Sequence, residues 1–408
     1  PKVNQIAEKS IELAKHDWYS FETSWDFRRH PMVGNQWLIA RDQQLVPYDR
    51  SSLFFDHYSN WKAETLDRFA QLKANEEELN RIFIDIYGLQ DELSPEVEDK
   101  DVTVYRIIDE PDEEERKMRY VLSKKDAVIT LISYAVGCMF GRYSLDEEGL
   151  ILAGQPLSDK FVYANQQYAG MAGQGGHTPA SEIGECYIRL QDGTTKKCSF
   201  APDDDNIIPI TDEEYFSDDI VTRFVEWIRA AYGTETLEEN LRFVADALGG
   251  SGTPRDVIRN YFLKDFYKDH KKTYKKRPIY WLFDSGRRNG FKALIYMHRY
   301  DQDTLGRVRV DYLHRLQGLY ENAVGSCDSI LASSASAAEK SRATKRREKL
   351  LRQLEECRTY DQALGHLAGQ RIRIDLDDGV KHNHALFQGV ELARDGRRAI
   401  KVDLLAKI

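Results

Sequence analysis

Hydrophobic side chains recur at steps of three and four over two long stretches of the chain, which predicts substantial helical structure. From Trp61 to Ile86 this spacing lines one face of a predicted long helix. From Leu305 to about Cys357 a near-heptad spacing, with a Ser/Ala-rich turn in the middle, predicts an antiparallel pair of helices. Residues 127–140 are apolar almost all round and predict a further helix that is buried in a core.

Two other stretches have the composition of strands and turns. Residues 146–210 are rich in glycine and predict a hairpin that turns at Asp192-Gly193. Aromatic and β-branched runs at 277–283 and 291–300 predict a second hairpin, whose connecting turn carries two arginines. Three helices are predicted between the hairpins, with start signals at Thr211 with Glu214, Thr236 with Glu239, and Thr253 before Pro254.

These patterns together predict an α+β fold built from helical and mixed α/β parts that follow one another along the chain. At roughly 150 residues per domain, a chain of this length is expected to fold into two or three globular domains with ample core. The predicted parts are an extended aromatic-rich segment (1–58), a helical spacer (59–145), a mixed α/β domain (146–300), a long antiparallel helical hairpin (301–365) and a small C-terminal β cap (366–408).

Charge is distributed unevenly along the 408 residues, and this distribution is more informative than the net charge of −9. Residues 76–115, the acidic shoulder, contain 16 acidic and 3 basic residues. Residues 264–299, the basic band, contain 11 basic and 3 acidic residues. A negative net charge does not exclude binding to nucleic acid, because phosphates respond to the face they meet. Either stretch could also be an ordinary solvated surface.

Aromatic residues alternate with cations in the basic band, and this is the strongest functional pattern in the sequence. Cations on a helix end and a hairpin tip can follow a phosphate backbone, and an arginine on a loop can reach guanine in the major groove. In an alternative interpretation the aromatics are core residues of a sheet; both can hold, because successive strand residues point to opposite faces. The predicted DNA-binding side chains are Lys271, Lys272, Lys275, Lys276, Arg277, Arg287, Arg288 and Lys292.

The cysteines and the apolar runs indicate the cellular compartment in which the chain is expected to fold. Five cysteines are few and odd in number for so long a chain, which argues against a secreted disulfide framework and predicts a reducing cytoplasm. Cys186 and Cys198 could pair or hold a metal ion, but no CxxC and no nearby pair of histidines supports a metal site. The longest apolar run is shorter than the roughly 20 residues that span a bilayer, so no membrane association is expected.

Several catalytic patterns are absent or incomplete in the sequence. An adenine methyltransferase needs an Asn/Asp/Ser-Pro-Pro-aromatic element, and none of the 11 prolines adjoins another. The glycines of residues 170–176 follow polar residues and not a buried strand, so a nucleotide cradle is not predicted. His382-Asn383-His384 reads HNH, but nucleases of that name spread these residues over a longer ββ-metal fold. Asp203-Asp204-Asp205 lacks the glutamate that completes a calcium loop. We therefore predict no catalytic, cofactor-binding or metal-ligating residue.

Five blocks of sequence resemble the C-terminal half of the PglX proteins. These are large adenine-specific DNA methyltransferases of the BREX phage-defence systems, similar in build to single-chain restriction-modification enzymes. The blocks cover long parts of the chain in the family's order. They are SWDFRRHP (24–31), NEEELNRIFIDIYGLQDELSPEVEDKDVTV (75–104), ISYAVGCMFGRYSLDEEGL (132–150), RPIYWLFDSGRRNGFKALIYMHRY (277–300) and DLDDGVK (375–381).

The resemblance implies that the methyltransferase domain lies upstream of Pro1, where the chain opens without a methionine. S-adenosylmethionine and transfer of its methyl group to the exocyclic amine of adenine would then belong to the longer parent, and this chain alone is predicted to be inactive. Residues 146–300 would form a target-recognition domain. The implied partners are double-stranded DNA, the parent's own N-terminal methyltransferase domain and other BREX proteins.

A second hypothesis assigns this chain chiefly to protein interaction. In that case it would be a scaffold that docks the catalytic half or other defence components. The aromatic-rich first 58 residues and the helical hairpin favour this interpretation, as does the acidic shoulder, which is difficult to place against DNA. The sequence does not identify the bases that would be recognised.

Overall fold

The computed structural model describes residues 2–33, 39–41, 44–46, 52–163, 185–394 and 397–408. The chain divides into two compact units. The first unit comprises Pro1–Cys138, Tyr143–Ile151 and Val225–Val257, and the second comprises Met139–Arg142, Leu152–Phe224 and Ile258–Ile408. Among the described residues, no helix combines the length and hydrophobicity needed to cross a membrane.

The described helices and strands follow one another in an α+β arrangement. In chain order they are α1 (Lys2–Trp18), β1 (Ile39–Arg41), β2 (Gln44–Val46), α2 (Phe54–Tyr87), β3 (Arg106–Ile108), β4 (Val121–Ser123), α3 (Lys124–Met139), α4 (Leu157–Lys160), β5 (Phe161–Tyr163), β6 (Cys186–Arg189), β7 (Thr195–Lys197), β8 (Ile208–Pro209), α5 (Ile220–Tyr232), α6 (Leu237–Leu248), α7 (Pro254–Lys264), α8 (Phe266–Thr273), β9 (Tyr280–Asp284), β10 (Lys292–Tyr296), α9 (Thr304–Arg307), α10 (Arg315–Ala332), α11 (Ala337–Ala368), α12 (Val380–Ala385), β11 (Val390–Arg394) and β12 (Arg397–Val402).

In the first unit α1 lies antiparallel along α2. Lys2 Nζ meets Glu78 Oε1 at 2.6 Å near one end of the pair, and Arg68 Nη1 meets Asp17 Oδ1 at 3.1 Å near the other. The second of these ion pairs is buried, so each charge is stabilised by its partner in place of water. The prediction of an extended segment is therefore wrong for residues 2–18, which form α1 and place Leu13 against Phe69 and Leu72 of α2.

The two helices predicted for the first unit from apolar spacing are confirmed. Residues 127–136 of α3 lie largely in the core, as an all-round apolar helix requires. The long helix α2 buries Tyr58, Trp61 and Leu72 in its first part, whereas Phe83 near its end is exposed. Burial becomes sparser toward the end of α2, where Ile84 is buried but Phe83 is not.

The second unit contains small sheets and a helical pair. Strands β9 and β10 form an antiparallel hairpin, and β8 pairs with the free edge of β10. Separate antiparallel sheets are formed by β5, β6 and β7 and by β11 with β12. The predicted hairpin turn at Asp192-Gly193 is confirmed, since Gly193 lies between β6 and β7 with a φ of 85°.

The helical pair of the second unit is formed by α10 and α11. A π-helical stretch, Val308–His314, joins α9 to α10 without a break. Salt bridges Arg347–Asp328 at 2.6 Å and Arg358–Glu321 at 2.9 Å fix the antiparallel register. The pair packs on the β9–β10 hairpin in one hydrophobic core, and buried members from different elements include Trp281, Phe291, Tyr312, Tyr320, Leu354, Tyr360 and Phe387.

The α+β class, the long helical pair and the C-terminal β pair are thus confirmed, whereas two predicted helix boundaries are wrong. Helix α5 begins at Ile220 and not after Thr211, because Asp219 Oδ1 accepts hydrogen bonds from the first helical N–H groups. The helix predicted after Thr253 is interrupted at Asp265 and continues as α8. The proposed domain boundaries stay predictions.

Candidate nucleic-acid interface

Helix α8 ends in a tight corner that carries exposed cations. Lys275 and Lys276 both adopt left-handed backbone conformations, with φ of 50° and 60°. The Lys276 N–H donates to the carbonyl of Lys271 at 2.8 Å, which satisfies one of the helix's terminal carbonyls. We call the exposed side chains of Lys272, Lys275, Lys276 and Arg277 the lysine corner.

A buried histidine fixes this corner to the following strand. His270 Nε2 accepts hydrogen bonds from the backbone N–H groups of Ile279 and Tyr280, both at 3.1 Å. Its ring lies 4.7 Å from the ring of Tyr280 and 4.8 Å from that of Tyr274. Burial, together with the nearby charge of Arg142, lowers the pKa of His270 to about 3. The ring is therefore neutral and acts as an acceptor that orients the chain.

Lys271 supports the corner instead of belonging to its exposed surface. Its side chain is half-buried, and Nζ donates to the carbonyl of Lys407 at 2.7 Å. Burial and the charges of Lys276 and Lys268 lower the pKa of Lys271. Lys268 is itself paired with Asp265 at 2.9 Å, so the exposed charge of the corner comes from the residues that follow Lys271.

The turn between β9 and β10 presents two further cations, Arg287 and Arg288, both exposed. One carboxylate organises this arginine turn. Glu356 Oε1 accepts from Ser285 Oγ at 2.8 Å and from the Gly290 N–H at 3.0 Å. Its Oε2 accepts from the Arg288 N–H at 2.9 Å. The backbone beneath the two guanidinium groups is therefore held in one conformation.

Close packing against α11 restricts the turn further. A Cβ on Gly290 would lie 2.7 Å from the carbonyl oxygen of Gln353, so only glycine fits there. The Gly290 carbonyl accepts a hydrogen bond from Tyr320 Oη at 2.9 Å. Gln353 Nε2 donates to the carbonyl of Asn289 at 3.1 Å. These contacts anchor the arginine turn on both helices of the pair.

Lys292 does not contribute to the exposed surface. Its side chain is only 6% exposed, and Nζ lies 2.6 Å from Asp284 Oδ2, the residue directly opposite on β9. Arg299, another member of the basic band, donates from its guanidinium to the carbonyls of Phe140, Asp203 and Asp204. Both cations hold the fold together, so neither Lys292 nor Arg299 adds charge to the exposed surface.

The remaining cations form two groups at opposite ends of β9. This strand has five residues, so the lysine corner and the arginine turn are separated by a strand about 17 Å long. The aromatic side chains Tyr280, Trp281, Phe283 and Tyr296 are all buried, which confirms their interpretation as core residues. The positive charge thus comes from the end of α8 and from the turns, whereas β9 separates the two groups.

The side chains of both groups are available for an external anion. Lys272, Lys275, Lys276, Arg277, Arg287 and Arg288 form no ion pair within the described ranges. Six such cations over this distance can contact phosphates on both sides of a groove, because the major groove of DNA is about 12 Å wide. Exposed cations of this kind are suited to binding a polyanion.

A third group of cations on α11 was not singled out in the sequence. Arg342 and Lys345 are exposed and form no ion pair with a described residue, although Arg346, Arg347 and Lys349 nearby pair with carboxylates. The basic run at 340–349 is visible in the sequence, but which members are neutralised depends on Glu213, Asp328 and Asp212 from other elements.

The acidic and histidine motifs have structural roles where the structure describes them. The carboxylates of Asp203, Asp204 and Asp205 lie close enough to hold a cation, but Asp203 and Asp205 both accept from the Ile207 N–H. Burial and the neighbouring carboxylates raise the pKa of Asp203 well above its usual value. Asn383 Nδ2 donates a hydrogen bond to the carbonyl of Gly379, the residue that precedes α12. The glycines of residues 170–176 lie outside the described residues.

Comparison with known proteins identifies the relatives of this chain. No family model matches it. It is 40% identical over 392 residues to the adenine-specific methyltransferase PglX of Lacticaseibacillus casei (strain Zhang), which covers 95% of this chain and 28% of that protein. It is 34% identical over 394 residues to the adenine-specific methyltransferase BrxX of Escherichia coli O9:H4 (strain HS), over 94% of this chain and 29% of that protein. The chain therefore spans less than a third of the length of these curated relatives. Over almost its whole length, this chain matches the C-terminal part of a PglX/BrxX-type protein.

Proposed function

We propose that this chain is the DNA-recognition and scaffold portion of a site-specific DNA adenine methyltransferase that acts in BREX phage defence. The observation that carries this proposal is the set of six exposed cations at the two ends of β9, none of which forms an ion pair with a described residue. The similarity to two adenine-specific methyltransferases supports the parent activity. A protein that methylates adenine within DNA needs a surface that attracts phosphates.

The two groups of cations suit different parts of recognition. Lysines on the corner have flexible stems and compact charges, which suit phosphate contacts that set position. Arginines on a fixed turn offer planar donors that can bond two acceptors of one guanine at a time. In this proposal the lysine corner supplies affinity and the arginine turn supplies sequence preference. The domain that contains both is the proposed target-recognition domain.

Methyl transfer is proposed to depend on parts of the parent that this sequence does not contain. The sequence has no adjacent prolines and hence no Pro-Pro element to hold a flipped adenine. S-adenosylmethionine would be bound by the remainder of the parent and would supply the methyl group there. We expect no transfer of labelled methyl groups to DNA by this chain alone, whereas incorporation above background would contradict the proposed division of labour.

Binding to duplex DNA as a function of salt tests the recognition role. The affinity of the chain for a labelled random-sequence duplex is measured by fluorescence anisotropy between about 50 and 200 mM salt. Each phosphate contact contributes about 0.9 to the log–log slope, so six contacts would give a slope near −5. Absence of binding at the lowest salt, or binding without salt dependence, would overturn the proposal.

A scaffold role is a second candidate, and a different observation favours it. Trp25 of the first unit is 97% exposed, and Trp18 at the end of α1 is 53% exposed. Aromatic side chains of this size are enriched at protein interfaces because they bury a large area with few rotatable bonds. This candidate places protein partners on the first unit and leaves the cations of the second unit to DNA.

A further inference from the structure

The last turns of α2 expose a group of large apolar side chains. Phe83, Ile86, Tyr87 and Leu93 are 44%, 66%, 70% and 55% exposed. Ile86 and Tyr87 follow Phe83 by three and four residues, so they lie on the same side of the helix as Phe83. We call these four side chains the apolar tip. Single exposed apolar residues are common, but a cluster with helical spacing is typical of an interaction site.

The apolar tip belongs to an ordered surface. The chain folds back along α2 after the helix ends, and two hydrogen bonds attach it there. Asn80 Nδ2 donates to the carbonyl of Pro95 at 3.2 Å, and the Val97 N–H donates to Glu77 Oε1 at 3.3 Å. The exposed side chains are therefore held in a fixed arrangement that a partner would find preformed.

The charge around the apolar tip restricts the possible partners. Residues 82–97 contain four carboxylates and no lysine or arginine. Asp91 and Glu92 are exposed and form no ion pair within the part of the chain that the structure describes. This charge repels DNA and anionic lipid surfaces. It also disfavours a symmetric dimer through this surface, since the same carboxylates would then face one another.

We propose that the apolar tip docks the part of a PglX-type protein that lies outside the matched region. The docking surface on that part would carry an apolar pocket with lysine or arginine side chains around it, as charge complementarity requires. Both relatives contain such a part, because the region matched by this chain is only 28% and 29% of their length. The inference rests on the second candidate function, to which it gives one surface and one occupant.

Co-expression tests this inference without requiring either part to fold alone. The tagged chain is produced together with the part of Lacticaseibacillus casei PglX that lies outside the 392 matched residues, and the complex is purified through the tag. We expect a stoichiometric complex with the wild-type chain. The double variant Ile86→Ser/Tyr87→Ser should retain less than about a tenth of the partner, which corresponds to about 1.4 kcal/mol of binding free energy. The charge variant Asp91→Asn/Glu92→Gln should weaken retention less.

Matched controls separate the possible outcomes. Leu150→Ser changes an apolar residue of the same unit that is 51% exposed, and it should leave the complex intact. Circular dichroism checks that each variant is folded. A complex that is insensitive to the Ile86/Tyr87 variant would keep the scaffold role but overturn the apolar tip. No complex at all would overturn both, and concentration-dependent self-association lost in the Ile86/Tyr87 variant would assign the surface to a second copy and overturn the proposed occupant.

Discussion

The lysine corner and the arginine turn present similar charge in two different ways. The corner follows a helix end, and its backbone is fixed from below by His270, with the lysine stems free in solvent. The turn is a hairpin loop whose own backbone N–H groups are bound by Glu356. Charge on flexible stems suits a target whose position varies. Charge on an anchored loop suits a target whose atoms have to be contacted at fixed positions.

This difference teaches that the basic band is not a single surface. The buried strand β9 separates the two groups, and the one cation within the hairpin strands, Lys292, is paired with Asp284. A basic run in a sequence therefore overstates the charge that a partner meets. The positions that remain exposed lie outside the sheet, on helices as Lys272 does and in turns as Arg287 does.

The largest expected effect follows from reversing the charge of the lysine corner. The variant Lys272→Glu/Lys275→Glu/Lys276→Glu should reduce DNA affinity roughly 100-fold or more at low salt. The log–log salt slope should become shallower by about 2.7, because three phosphate contacts are lost. Fluorescence anisotropy with a random-sequence duplex measures both quantities.

A control with the same change in net charge makes this result specific. Lys9, Lys15 and Lys125 are exposed lysines of the first unit that form no ion pair with a described residue. Their reversal to glutamate should change affinity only slightly through the overall field. Equal losses for the two triple variants would mean that net charge, and not the corner, governs binding.

The next largest effect is expected from removing the anchor of the arginine turn. Glu356→Gln places an amide group against backbone N–H donors, so at least one donor loses its acceptor. We expect the free energy of unfolding to fall by about 2 kcal/mol, measured by urea denaturation. Glu355→Gln, at the exposed neighbouring position, is the matched control and should have little effect. An unchanged midpoint for Glu356→Gln would show that the turn does not depend on this carboxylate.

Substituting the arginines themselves should separate preference from affinity. Arg287→Lys/Arg288→Lys keeps both charges but loses the planar donors that bond two acceptors at once. Sequencing of duplexes bound from a random pool should show about tenfold weaker enrichment of the preferred sequence, and the salt slope should stay the same. The conservative change Lys272→Arg/Lys275→Arg in the corner is the comparison, and its enrichment should match that of the wild type. If enrichment is identical in all three proteins, the turn does not read bases.

The smallest effect concerns the histidine beneath the corner. The pKa of His270 is lowered to about 3 by burial and by Arg142, so between pH 3 and 6.5 the unfolded chain binds more protons there than the folded chain. Stability from this group is full above pH 6.5 and decreases as the pH falls. At pH 5.5 the loss is about 1.4 kcal/mol.

Melting temperatures of wild type and His270→Asn across this range measure the effect. Asparagine can accept from the same N–H groups but does not titrate, so the variant should be less sensitive to acid. The comparison cancels groups common to both proteins, including Asp17, whose pKa is raised to about 6 mainly by burial. Parallel pH profiles for the two proteins would contradict the assigned role of His270.

Local patterns in the sequence predict the elements of the site but not its anchors. The aromatic runs and the turn between them fix the hairpin, because strand period and turn residues act over a few neighbouring positions. Glu356, in contrast, contacts residues 66 to 71 positions away. Only tertiary packing brings such partners together, and no periodicity indicates it.

The error at Lys292 has a different origin. A lysine in a basic run is most often solvated, and this expectation fails because β10 is covered on both faces. The hairpin register could have indicated the outcome, since Asp284 and Lys292 occupy the first opposed positions of the two strands. The exposed apolar tip could not be predicted, because its spacing is the same as that of the buried part of α2.

The left-handed pair Lys275 and Lys276 has a consequence for anyone who engineers this protein. Each lysine in that conformation costs about 1 kcal/mol compared with glycine, so glycine substitutions would be a simple route to a more heat-resistant variant. Each such gain would also remove an ammonium group from the proposed DNA contact. Thermostability and affinity for DNA would then have to be optimised against each other at the same two positions.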